Sequence, residues 1–159
     1  MMVHLCCYIW PMNLFNLFHK PKPPRRPLPP VVIRRISSFL DGSFVAPNEW
    51  ISVEVFNQDE SVKVGMFNYG VSPLRDRIYV DGLNVVEAHQ RKGFGSSALL
   101  TLAKQCSDPE MLMPIAALHE LYSAIGFWGA LRNGYVPSLV VLMDIRTGDQ
   151  AEEKRRWQK

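Results

Sequence analysis

Cysteine is scarce in this chain. Of 159 residues three are cysteine: Cys6 and Cys7 are adjacent, and Cys106 stands far from them. That number and spacing make neither a disulfide framework nor a paired zinc site, and a reducing, cytoplasmic setting is the simplest expectation. No metal site is expected. Long apolar runs are lacking as well. Residues 1–18 are rich in apolar and aromatic side chains (Leu5, Tyr8, Trp10, Phe15, Phe18), but His4, Pro11, Asn13 and Asn16 interrupt them. A spanning helix needs about 20 unbroken apolar residues, so no membrane span is expected. A secretory signal needs an early positive residue, and no Lys or Arg precedes Lys20. One-sided charge is missing too: the net charge of +3 admits an anionic ligand without announcing nucleic acid. No internal repeat is visible.

Proline, in contrast, is concentrated. Residues 20–30 hold six prolines and four basic side chains, a composition that forbids helix and sheet and favours extended polyproline II. Two readings stand: a solvated linker, or a basic arm that joins Arg34 and Arg35 in touching an anionic partner such as a charged tRNA. Either way the stretch divides the chain into an N-terminal arm and linker (residues 1–30), a domain (31–146) and a charged tail (147–159). The whole chain's composition, 47% apolar and 21% charged, is that of a globular protein able to bury a core.

The domain opens with strand signals. Residues 31–36 are a β-branched run. Ile51, Val53 and Val55 alternate with Ser52 and Glu54, Asn57-Gln58-Asp59-Glu60 turns the chain, and Val62, Val64 and Met66 resume the alternation, which reads as an antiparallel hairpin. Residues 78–85 form a fourth strand. It feeds Gln90-Arg91-Lys92-Gly93-Phe94-Gly95-Ser96, after which Leu99, Leu102, Ala103 and Cys106 recur at the spacing of a helix that buries one stripe. Gly93 and Gly95 allow a tight turn with no Cβ in the way of a ligand. Amide N–H groups at a helix N-terminus favour an anion, and Arg91 and Lys92 add full charge. A Walker A loop is excluded because Lys92 precedes the first glycine. A Rossmann loop, which tolerates Ala98 in place of the third glycine, is disfavoured because no strand ending in an acid follows at the right distance and because such a loop would come near the start of its domain.

Further on, residues 111–114 are a short apolar stretch. Leu118, Leu121, Tyr122 and Ile125 read as the stripe of a second helix capped by Gly126. Residues 127–131 and 139–145 read as two strands turning at Arg132-Asn133-Gly134.

The segment Gln90 to Gly95 resembles the pyrophosphate loop of the GNAT acetyltransferases, Gln/Arg-x-x-Gly-x-Gly/Ala. Leu121-Tyr122-Ser123-Ala124-Ile125-Gly126-Phe127 looks like a second landmark of that family, Leu-Tyr-x-x-x-Gly-Phe. The resemblance implies an α/β fold of layered α+β type: a central, mostly antiparallel mixed sheet splayed between strands 4 and 5, with helices on both faces. It alone puts the fifth strand at residues 111–114. It also implies acetyl-CoA as co-substrate, direct transfer of acetyl to an amine in a ternary complex, and an acceptor of unknown kind. A homodimer is possible on the same ground. One departure from the family is plain: only residues 37–49 separate the first two strands, where the family usually places two helices that grip the acceptor.

For the coenzyme, the resemblance implies Leu83, Val85 and Val86 along the strand edge and Gln90, Arg91, Lys92, Gly93, Phe94, Gly95 and Ser96 around the diphosphate. Tyr122 is the implied general acid, since a phenol of pKa about 10 suits a departing thiolate; its other reading is a core tyrosine. Asp81 or Glu87 would be the base, with Asp81 sharing a face with Tyr79, Leu83 and Val85; beside Gly82, Asp81 also reads as a bulge residue. His119 could relay protons. His89 reads as exposed, and Cys106, on a buried stripe, as no nucleophile. The alternative to an enzyme is a degenerate coenzyme A-binding module that works through protein partners.

Overall fold

The computed structural model describes residues 26–40, 49–118 and 120–142. His119, residues 1–25 of the arm and linker, the tail and most of the first inter-strand connection lie outside these residues. Four strands come first: β1 (Val31–Leu40), β2 (Glu49–Asn57), β3 (Lys63–Val71) and β4 (Ile78–Val85), each antiparallel to its predecessor. The expected hairpin is β2–β3. Its turn closes through Asn57, whose side-chain oxygen accepts the Val62 N–H at 2.9 Å, while Glu60 adopts a left-handed φ of 59°.

Helix α1 (Phe94–Cys106) then crosses back, and β5 (Ile115–Ala117) joins β4 in parallel. A parallel neighbour needs such a crossover, since no tight turn can return the chain to the same end of the sheet. After α2 (Ile125–Arg132), the short β6 (Val141–Leu142) pairs in parallel with β5. The six strands lie side by side in chain order.

Alternation along each strand decides the layers. Val53, Val55, Phe67, Ile78 and Val80 point to one face, where Leu99, Leu102 and Ala103 of α1 cover them; Trp128 and Leu131 of α2 complete the same cluster. Fully burying one such side chain stabilises by about 1.5–3 kcal/mol. Sheet residues of the opposite phase, Trp50, Tyr79 and Ala116, gather with Leu118 in a smaller, separate cluster. Among the described residues, then, both helices serve one face, and the expectation of helices on both faces is not met.

The second half departs from the sequence reading in detail. The fifth strand is at Ile115–Ala117, immediately after the expected stretch, because Ile115, Ala116 and Ala117 are the residues that can be wholly buried between β4 and β6. No helix begins at Leu118: its N–H continues the sheet by donating to Val80 O at 2.9 Å. Leu121 and Ile125 are exposed, a 3-10 turn spans Tyr122–Ala124, and α2 starts where the expected helix was to end. Residues 127–131 are therefore helix and not strand, with Trp128 and Leu131 as its buried side. Asn133-Gly134 ends this helix instead of turning a hairpin. Gly134, at φ 77°, donates to Leu131 O and Tyr135 N donates to Ala130 O, both at 3.0 Å, the paired bonds of a Schellman cap. Gly126 caps nothing; it lies in the first turn.

Candidate functional site

The site expected from the sequence lies where β4, α1 and α2 approach one another. β4 pairs with β5 only at Ile78, Tyr79 and Val80, opposite Ile115, Ala116 and Ala117. Beyond the Leu118 N–H to Val80 O bond the two paths part, and residues 81–85 have no described strand on that side. In the same stretch β4 bulges: Met66 pairs with Asn84 and Asn68 with Asp81, so one extra residue is accommodated around Gly82, whose φ is 63°.

This bulge redirects the side chains. Asp81 stays on the face of Tyr79, across from Asn68, whereas Leu83 and Val85 turn to the helix side, where Leu83 packs on the main cluster and Val85 approaches Gly95. Asp81 thus shares a face with Tyr79 but not with Leu83 and Val85, against the expectation from simple alternation. Glu87 is exposed in a 3-10 turn (Glu87–His89) beyond the strand, and Val86 is exposed just before it.

The loop into α1 is compact. Gln90 turns back, its side-chain amide donating to Val85 O at 3.0 Å; Arg91 adopts a left-handed φ of 59° and Gly93 one of 89°. His89 is half-buried and stacks edge-on against Phe94, with ring centroids 5.4 Å apart. Helix α1 begins with no side-chain cap and no acidic residue in its first turn. Its positive end is therefore uncompensated, and Arg91 and Lys92, both exposed, have no acidic partner among the described residues. Arg34 and Arg35 differ: they pair with Glu60 and Glu49.

Both glycines have packing partners. A Cβ at Gly93 would stand 3.0 Å from Pro29 and 3.4 Å from Leu28; one at Gly95 would stand 3.3 Å from the Phe127 ring and 3.4 Å from Val85. The room left by their missing side chains is occupied by the chain itself. Gly95 and Ser96 are buried, while Gln90, Arg91 and Lys92 stay at the surface. A shallow apolar crevice runs between Phe94 and Ala98 of α1 and Val55, Val64 and Val85 of the sheet. It encloses no room for even a water molecule and is not by itself a coenzyme site.

Tyr122 is 92% exposed in its 3-10 turn, which removes the core-tyrosine reading. It lies five residues before Phe127, so the turn leads into the helix that packs against Gly95. Cys106 is half-buried at the end of α1 and hydrogen-bonded with Tyr69; burial pushes its thiol above the ordinary value, the bond acting in the opposite sense. A raised thiol is a poor nucleophile. Among the described residues no cluster of His, Cys, Asp and Glu is arranged to hold a metal ion. Sequence reasoning missed the parts played by Pro29, Ser97 and Phe127, since no local pattern links residues so distant along the chain.

No protein-family model matches this chain, and no curated protein matches it. Among solved structures, a provisionally assigned acetyltransferase from Deinococcus radiodurans R1 aligns with it at 15% identity and a TM-score of 0.41, covering 67% of this chain and 83% of that one. A likeness of that degree bears on neither the activity nor the residues of this protein.

Proposed function

We propose that this domain is an acetyl-CoA-dependent N-acetyltransferase. The observation that carries the reading is the parting of β4 from β5 after Val80, followed on the same strand by a bulge, a basic loop and an uncapped helix N-terminus. A coenzyme fits this donor set in charge: Arg91, Lys92 and the first-turn amides of α1 suit a diphosphate, and the side of residues 81–85 that no described strand covers, apart from the Val85 carbonyl that Gln90 already occupies, suits amides that pair as a neighbouring strand would. The thioester, when bound, supplies an acetyl group activated toward nitrogen. Around it the chain's own groups divide the work. A backbone N–H near Val85 polarises the carbonyl, an oxyanion-type effect. Asp81 or Glu87 takes the proton that the acceptor ammonium must lose, and the amine nitrogen then attacks the carbonyl carbon as the carbon–sulfur bond breaks. Tyr122 returns a proton to the departing sulfur. The acceptor is an amine, free or on a macromolecule.

A second reading is a coenzyme A-binding module that works through protein partners. It is favoured by the filling of the space beside Gly93 and Gly95 and by the exposure of Tyr122, which no group among the described residues orients. One experiment separates the two. Full-length protein is titrated with acetyl-CoA by calorimetry, then assayed for free thiol release across an amine panel, as wild type and as Tyr122→Phe. Saturable binding with turnover that falls at least about tenfold in the variant at unchanged affinity supports the enzyme. Binding without turnover supports the module, and absence of binding ends both.

A further inference from the structure

Ser97, in the first turn of α1, is buried, and its hydroxyl donates to the carbonyl of Pro29, 68 residues earlier. Two more contacts converge on the same place. Leu28 packs against the main cluster, and the side chains of Leu28 and Pro29 lie over the Cα of Gly93, where a Cβ would be crowded at 3.0 Å from Pro29 and strained by the left-handed φ of 89°. Pro29 and Pro30 have no N–H, and β1 begins pairing only at Val31. The carbonyl of half-buried Pro29 is thus an acceptor that the sheet does not reach. Ser97 supplies the donor. The hydrogen bond, the steric key at Gly93 and the apolar anchor of Leu28 all bear on one turn, the left-handed step at Gly93 that leads from the basic loop into α1.

We infer that Ser97 is a positioning residue. Through Pro29 it straps residues 26–30 across the start of α1 and holds residues 90–96 in the shape that receives the diphosphate of the coenzyme. The ligand in this statement rests on the acetyltransferase reading above; the strap does not. The segment also delivers Arg26, exposed and without an acidic partner among the described residues, to the same end of the helix as Arg91 and Lys92.

The test uses the full chain as wild type, Ser97→Ala and Ser97→Thr, with amide hydrogen exchange and acetyl-CoA titration as readouts. In Ser97→Ala, exchange should quicken in residues 26–33 and 90–96 while β2 and β3 keep their protection. The acetyl-CoA Kd should rise about three- to tenfold, the worth of one buried hydrogen bond. Ser97→Thr, which keeps the hydroxyl, should restore both. Exchange that quickens throughout the domain, or a Kd unchanged although the loop has loosened, overturns the inference. Should Ser97→Ala fail to fold, Leu28→Ala loosens the strap from its other end and must give the same local pattern. Wild type that does not bind acetyl-CoA, with the local exchange pattern intact, overturns the ligand and leaves the strap standing.

Discussion

Phe127 of α2 lies directly against Gly95 of α1: a Cβ at position 95 would stand 3.3 Å from two atoms of the phenyl ring. The two helices therefore lock at a position where only hydrogen fits without movement. Gly95→Ala should destabilise the fold by about 1–3 kcal/mol through overpacking, measured by urea unfolding. Adding Phe127→Leu should return part of that loss. Equal destabilisation in the single and double variants would show that the ring does not set the glycine requirement.

Trp128 and Leu131 anchor α2 to the main cluster. Leu131→Ala should cost about 2–5 kcal/mol, whereas Ile125→Ala, on the exposed side of the same helix, should cost under about 0.5 kcal/mol. Were residues 127–131 an alternating strand, Trp128 and Leu131 would face opposite ways and could not both be the sensitive positions. Paired unfolding curves of the two variants decide the matter.

Glu120 and Arg132 meet in a two-pronged ion pair: Arg132 Nη2 donates to Glu120 Oε2 at 2.8 Å, Nη1 donates to Oε1, and Nη1 also reaches Leu142 O at 3.4 Å. The pair ties the segment after β5 to the end of α2 and to β6. The Glu120 carboxylate is largely buried, so Glu120→Gln should cost about 1–3 kcal/mol. Glu60→Gln, at the exposed pair with Arg34, should cost under about 1 kcal/mol. Similar losses in chemical denaturation would refute the distinction.

Alkaline pH should weaken the fold. Burial raises the Cys106 thiol, and it is the main cause raising the neighbouring Tyr69 phenol as well. Each is an acid that holds its proton longer when folded. The unfolded chain therefore deprotonates first as pH rises, and stability falls. The contribution of the thiol is fully present below its unfolded value of about 8.5 and is lost as pH climbs toward the raised folded value; the phenol follows above about 10. Cys106→Ala should flatten the decline of Tm between about pH 8 and 10. Parallel Tm profiles for variant and wild type would sink the assignment.

The legible part of this protein was the part governed by local pattern. Alternation gave β2, β3 and β4, and the spacing of Leu99, Leu102 and Ala103 gave the buried side of α1. Past Cys106 the pattern misled, for a physical reason. Leu118, Leu121, Tyr122 and Ile125 have helical spacing, but only Leu118 is buried, and it is buried as an extension of a strand. A buried parallel strand as short as Ile115–Ala117 has no alternation to display. Asn133-Gly134 carries the same chemistry whether it turns a hairpin or caps a helix, since both need a left-handed glycine. At the candidate site the loop itself was readable, but the bulge at Gly82 reversed the facing of Leu83 and Val85 relative to Asp81. The partners of Gly93 and Gly95 were out of reach, because Pro29 and Phe127 come to them only through the folded chain.

Under the proposed acetyl-CoA reading, the side of β4 at residues 81–85 that no described strand covers would act as a ruler. Along one side of an extended strand, amide groups recur about every 6.8 Å, twice the rise of a residue, and the bulge at Gly82 offsets that beat once. A linear guest would be graded by whether its own amides keep the same time, so selectivity for it would be written into the main chain, where side-chain substitution cannot easily erase it.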